Sequence, residues 1–213
     1  MYNFLFKFVL VGNKNVGKTT LLKKYIQSST SPTIGVDFFC SSIIYNNKTV
    51  KLHIWDTSGN FNFLNIIRSY LKNSIGAIIV FSYHDINSFN DIDFWMQQLN
   101  ADNVNYKKKC LIGTYNNGPI VVNNDLIENK CRQYGLDFFD AGGDFHIELC
   151  FLKMVGDILR DYREKSYVFN NLDGFKDNAP VRVTTDYINF ENKNWDGEDR
   201  CQYLCCKKNC NIL

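Results

Sequence analysis

Gly12-Asn13-Lys14-Asn15-Val16-Gly17-Lys18-Thr19 carries the residue types and spacing of a phosphate-binding loop, G-x-x-x-x-G-K-[ST]. Lys18 offers a point charge to the β- and γ-phosphates of a nucleotide. The Thr19 hydroxyl is a natural first ligand for Mg2+ bridging them, and Thr20 follows in the same turn. Gly12 and Gly17 let the backbone approach an anion without a Cβ in the way. The alternative reading is a Gly-Lys-Thr turn with no ligand, and the flanking sequence decides against it. Phe6, Phe8, Val9, Leu10 and Val11 read as a buried strand, and Leu21, Leu22, Tyr25 and Ile26 recur at helical spacing. A helix opening directly on the loop aims its unpaired N–H groups at the same anion.

Two further chemical positions lie downstream. Trp55-Asp56-Thr57-Ser58-Gly59-Asn60 ends a strand, placing the Asp56 carboxylate to hold Mg2+ through water and the Gly59 N–H to meet a γ-phosphate. Asp-x-x-Gly alone is a weak signal. Its position some forty residues after the loop, with Thr33 between, makes the three a set.

The elements that must position these residues follow from apolar periodicity. Residues 36–45 and 49–55 are strand-like runs joined by Asn46-Asn47-Lys48, a hairpin signal. Ile75 to Phe81 and Cys110-Leu111-Ile112-Gly113 read as strands buried on both faces. Phe89, Ile92, Trp95, Met96 and Leu99 mark one face of a helix, a core stripe and not a cofactor box. Ile147, Leu149, Phe151, Leu152, Val155 and Leu159 mark the last helix. Strands alternating with helices make a doubly wound α/β domain.

The chain has 213 residues, enough for one such domain plus an extension, with the boundary placed at 166 and a tail over 167–213. A net charge of +2 favours no nucleic-acid partner. Met1 to Val11 is too short to span a membrane and has no small-residue cleavage site, so it reads as the first strand. Of eight cysteines, Cys40, Cys110, Cys131 and Cys150 are scattered through the domain and read as thiols, not as a secreted disulfide framework.

The segments TIGVDF at 33–38, KLHIWDTSGN at 51–60, RSYLKNSIGAIIVF at 68–81 and NSFNDIDFWMQQL at 87–99 resemble the small GTPases of the Rab branch. With the phosphate loop, the similarity covers about residues 4–160 in the family's order. It implies a six-stranded, mostly parallel sheet with helices on both faces, and GTP or GDP with Mg2+ as ligands. It also implies two switch loops, around 28–37 and 57–70, that the γ-phosphate orders and hydrolysis relaxes. Thr33 becomes the switch threonine on Mg2+, Gly59 the γ-phosphate sensor, and Lys18, Thr33 and the residue at 60 the catalytic set.

Four departures from the family pattern fall on working positions. The water-orienting glutamine is replaced by Asn60, one methylene shorter, which predicts slow hydrolysis. Lys14 and Asn15 stand where small residues are usual and crowd the γ-phosphate, with the same consequence. The guanine-reading Asn-Lys-x-Asp falls on Thr114-Tyr115-Asn116-Asn117. An amide at 117 loses one of two hydrogen bonds to the base, worth about 2–3 kcal/mol, and suits a base with a carbonyl there, as in xanthine. The family's Ser-Ala-Lys loop is blurred into Asp140-Ala141-Gly142-Gly143-Asp144. Finally, the first switch is short and has no aromatic between Tyr25 and Thr33, so the stacking contact on the base is either lost or made by Tyr25.

Residues 167–200 mix Asn, Asp and Lys with isolated aromatics and read as an extended tail. The chain ends Cys210-Asn211-Ile212-Leu213, a prenylation signal with the leucine favouring geranylgeranyl. Cys205 and Cys206 are candidate palmitate carriers and Lys207 and Lys208 add attraction to anionic lipid. A zinc cluster of Cys201, Cys205, Cys206 and Cys210, or plain surface thiols, are the competing readings; adjacent cysteines fit a tetrahedral site poorly.

Two functions remain open on the sequence. One is a lipid-anchored, monomeric GTPase switch on the cytoplasmic face of a membrane, not secreted, recruiting effectors through its switch loops under exchange and activating proteins. The other is a non-cycling, membrane-anchored scaffold with altered nucleotide binding.

Overall fold

The computed structural model describes residues 2–26, 35–101, 106–142 and 147–165. Six strands form one sheet: β1 (Phe4–Val11), β2 (Val36–Tyr45), β3 (Lys48–Thr57), β4 (Gly76–Ser82), β5 (Lys108–Thr114) and β6 (Asp137–Asp140). They lie in the order β2-β3-β1-β4-β5-β6. Only the β2–β3 pair is antiparallel. The helices are α1 (Lys18–Ile26), α2 (Leu64–Leu71), α3 (Ile86–Asn90), α4 (Ile92–Asn100), α5 (Asn124–Tyr134) and α6 (Ile147–Lys165).

Both faces of the parallel strands are covered, which is why β4 is buried along its whole length. One face packs Phe8, Leu10, Ile78, Val80 and Ile112 against Leu22 of α1 and Phe151, Val155 and Ile158 of α6. The other packs Val9, Val11, Ile79, Phe81 and Leu111 against Ile67, Phe89, Trp95 and Ile127 of α2 to α5. This is the doubly wound sheet that the periodicity predicts. The carboxyl ends of β1, β3, β4 and β5 face one another's loops, and ligands in such sheets bind there.

Two local expectations are corrected, and a third element gains detail. The hairpin turn is Asn46-Asn47 alone, both left-handed at φ 48° and 59°. Lys48 already pairs with Tyr45 as the first residue of β3. Two central residues at positive φ match the strands' right-handed twist, and asparagine tolerates that region. The stripe from Phe89 to Leu99 lies on two helices, α3 and α4, broken at Asp91 (φ −72°, ψ −2°). In α6, Leu149 and Leu152 are only half-buried, while Cys150, Met154 and Ile158 complete the inner face. Cys40, Cys110, Cys131 and Cys150 are buried and in no disulfide, as expected for thiols.

Candidate functional site

The loop between β1 and α1 is held from three sides. Gly12 (φ +140°) lies so close to β4 that a Cβ built on it would stand 2.1 Å from the Val80 carbonyl oxygen. Gly59 (φ +67°) closes the opposite side, where a Cβ would stand 2.2 Å from Gly12 O and 2.6 Å from Lys18 Nζ. Gly17 (φ +92°) leaves room for the Thr114 side chain, whose hydroxyl donates to Val16 O at 2.5 Å. Asn15 is left-handed too, at φ 66°. Val16 is buried, whereas Lys14, Asn15 and Thr20 are exposed.

Lys18 is 4% exposed and donates to Gly12 O at 2.9 Å and Asn13 O at 2.7 Å, so its ammonium is wrapped by the loop's own carbonyls. Burial lowers its pKa to about 8, opposed by the charge of Asp56. Thr19 Oγ1 donates to Asp56 Oδ2, joining the start of α1 to the fully buried carboxylate of β3. These oxygens are hard donors, and Mg2+ needs only one or two protein oxygens when phosphates and waters complete its shell, so the residues fit that ion. Thr33, the third expected ligand, lies outside the described residues.

The Asn60 side-chain carbonyl accepts from Asn62 N at 3.0 Å, capping a 3-10 turn at Phe61–Phe63. Its short side chain does here what Asx residues do at turn starts.

At the base-reading end the motif residues separate. Thr114 binds the phosphate loop, as described. Tyr115 turns instead toward Tyr83, stacked at 4.6 Å, and donates its hydroxyl to Asp140 Oδ2 at 3.0 Å. Burial and the Asp140 charge raise its pKa, so the hydroxyl stays protonated. Asn116 reaches back to the phosphate loop, donating to Asn15 O at 3.1 Å and lying 3.2 Å from Ser82 Oγ. Asn117 is exposed beside them. The Ala141 N–H donates to Gly113 O at 2.8 Å and the Gly142 N–H to Asp140 Oδ1 at 2.8 Å. Gly143 and Asp144 lie outside the described residues, as do the tail and Cys201, Cys205, Cys206 and Cys210.

A family model described as Ras family matches residues 7–160. The chain belongs to the Ras family. It is similar to Ras-related protein Rab-1D of Dictyostelium discoideum, 33% identical over 168 residues, covering 74% of this chain and 81% of that one. It is also similar to Ras-related protein RABD1 of Arabidopsis thaliana, 34% identical, covering 74% and 80%. GTP-binding protein YPT1 of Saccharomyces cerevisiae is 40% identical over 116 residues, covering 53% and 56%. Ras-family membership implies guanine-nucleotide binding and GTP hydrolysis, and the relatives make this a Rab-related small GTPase.

Against that family's pattern, Tyr25 is committed elsewhere. Its hydroxyl lies 2.5 Å from Ser41 Oγ and its ring 6.0 Å from that of Phe151, so of the two expectations for the base stack, Tyr25 is the one the packing disfavours. The sequence reading also passed over Asn116, the variable position of the motif. No local signal marks it: an asparagine side chain can bridge two loops, but its partner here is Asn15, 101 positions away.

If Lys18 meets the phosphates, nucleotide binding is expected to depend on pH. The free loop holds it with a pKa of about 8, and phosphate contact raises that value. Below pH 8 the lysine is charged in both states and contributes no slope. Above pH 8 binding must take up a proton, so affinity for GDP falls, by up to about tenfold per pH unit. Titration calorimetry at pH 7, 8 and 9 in Mg2+ checks this; a flat profile would mean that Lys18 does not touch phosphate.

Proposed function

We propose that the chain is a Rab-type molecular switch that binds GTP and GDP, hydrolyses GTP slowly and recruits effectors to the cytoplasmic face of a membrane in vesicle traffic. The observation that carries it is the buried Lys18 between two glycine approaches, with Thr19 and Asp56 in contact beside it. Thr19, Asp56 and, by family analogy, Thr33 would hold Mg2+, which would supply neutralisation of phosphate charge. Lys18, whose ammonium now lies on Gly12 O and Asn13 O, is the cation placed to meet phosphate oxygens. Asn60 is the available amide for orienting water and must first release the turn that it caps, which supports slow turnover.

Effector recruitment is supported by the apolar residues near the second switch. Phe61 and Ile66 are 45% and 49% exposed. Beside them, Phe38, Trp55 and Tyr70 form a ladder of rings at 4.6 and 4.7 Å. Among the described residues no helix is long and apolar enough to cross a membrane. In this reading membrane residence rests on the tail, with Cys210 as the prenylation site and Cys205, Cys206, Lys207 and Lys208 as second signal.

Two observations favour the scaffold reading. The amides of Ala141 and Gly142 are already bonded within the protein, and Asn117 replaces the base-reading carboxylate. Nucleotide identity and occupancy after purification in Mg2+ separate the two. Near-stoichiometric guanine nucleotide, enriched in GTP, is the result expected of a slow switch. An empty chain that also ignores added GTP would leave only the scaffold.

A further inference from the structure

A single side chain ties the phosphate loop to the helices behind it. Asn13 Nδ2 donates to Asp91 Oδ2 at 2.7 Å, and its Oδ1 accepts from Trp95 Nε1 at 2.8 Å. An amide makes both bonds at once, whereas a carboxylate has no proton to give Asp91. Both partners belong to the break between α3 and α4: Asp91 is the residue at the break, and Trp95 lies fully buried one turn on. Trp95 is covered in turn by Phe61, stacked on it at 5.8 Å and 18°, with Phe94 edge-on to Phe61 at 5.1 Å. Phe61 is the neighbour of Asn60, and it begins the 3-10 turn that Asn60 caps.

We propose that Asn13 is a positioning residue for hydrolysis, coupling the phosphate loop through Trp95 and Phe61 to the placement of Asn60. The proposal rests on the nucleotide-switch reading above. The Trp95 indole is the rigid link. Its N–H is fixed by the loop that would hold phosphate, and its ring is the seat of the segment that would orient water. A shift of the loop is transmitted to Phe61 as a tilt of the ring beneath it. Loss of the tie lets the seat rotate and moves Asn60, while Lys18 keeps its contact with Gly12 O and Thr19 its contact with Asp56. A displacement of about 1 Å at such a group costs up to about 100-fold in rate.

Asn13→Asp tests this in the full chain. It sets two carboxylates against each other where Nδ2 and Oδ2 now bond. Single-turnover GTP hydrolysis, measured at saturating nucleotide so that a change in affinity does not enter the rate, is expected to fall about tenfold or more. In a W55F/W195F background, the change in Trp95 emission between the GDP and GTP states is expected to vanish. Adding D91N returns a donor between the two positions and is expected to restore both readouts. F61A, which removes the stack and leaves the tie, is expected to reproduce the rate loss. A merely structural tie would lower the unfolding midpoint and leave the emission response intact. Wild-type turnover in N13D overturns the proposal, as does a rate loss that D91N fails to rescue. If N13D does not fold, W95F decides in its place: it removes the indole donor together with part of the buried ring, and wild-type turnover there is equally fatal. An unmodified chain that neither binds nor turns over GTP overturns both this proposal and the switch reading, whereas normal turnover with an indifferent N13D overturns this one alone.

Discussion

Gly12→Ala is expected to abolish nucleotide retention and to lower the unfolding midpoint by about 6–12 °C. Two costs combine. The backbone at Gly12 has φ +140°, a region that L side chains rarely adopt, and the new Cβ would stand 2.1 Å from Val80 O and 3.1 Å from Val80 C. These are backbone atoms at the centre of the sheet, so no rotamer change relieves the overlap; either β1 and β4 part or the loop leaves its place. Strain and overpacking of this kind cost about 3 kcal/mol together, a large share of a stability of about 5–15 kcal/mol. At roughly 2–4 °C per kcal/mol for a domain of this size, that gives the stated shift. Gly135→Ala is the comparison. It too has positive φ, +64° at the end of α5, but nothing lies within 4 Å of its Cβ. The change there is expected to cost about 1 kcal/mol and leave nucleotide binding intact. Thermal unfolding and bound-nucleotide assay of both variants check the pair. A Gly12→Ala protein that keeps its nucleotide would mean that the loop is not set by its approach to β4.

The contrast between these glycines also explains what could be read before the fold was known. The phosphate loop was legible because its chemistry is local: glycines, lysine and threonine occur in one run between a strand pattern and a helix pattern. The buried strands were legible because burial on both faces writes itself as unbroken apolar runs. The break at Asp91 was not. Residues 86–100 keep helical periodicity throughout, and nothing within them marks Asp91 as the partner of Asn13, 78 positions away. For the same reason Asn116 was overlooked and Tyr115 was read as a base contact. Which of two neighbours turns toward the phosphate loop is decided by Tyr83, in the turn just past β4, and Asp140, at the end of β6. Tyr25 was ambiguous because a tyrosine at the end of a helix can serve a ligand or a core, and only Ser41 and Phe151 settle its packing. Local geometry is written in local sequence, and long-range pairing is not.

Asn117→Asp is expected to raise affinity for GDP by about 30- to 100-fold and to lower affinity for xanthosine diphosphate by a comparable factor. A carboxylate accepts from both neighbouring donors on a guanine edge, whereas the amide accepts one and opposes the other with its own N–H. The difference is about 2–3 kcal/mol, the value of a charge-assisted hydrogen bond together with the removal of a donor facing a donor. The structure makes the substitution a clean one. Asn117 is exposed, so no packing is lost. The loop that carries it is held by its neighbours, with Thr114 on Val16 O and Asn116 on Asn15 O, so the new carboxylate stays where the amide was. The inversion of the two affinities carries the argument, because a general effect of added negative charge would weaken both ligands together. Equilibrium titration of each diphosphate against the two proteins, in Mg2+ at pH 7, measures it. An unchanged ratio would mean that this loop does not read the base. Affinity would then come from the phosphate grip of Lys18 and its loop alone, and base specificity would have to be sought outside residues 114–117.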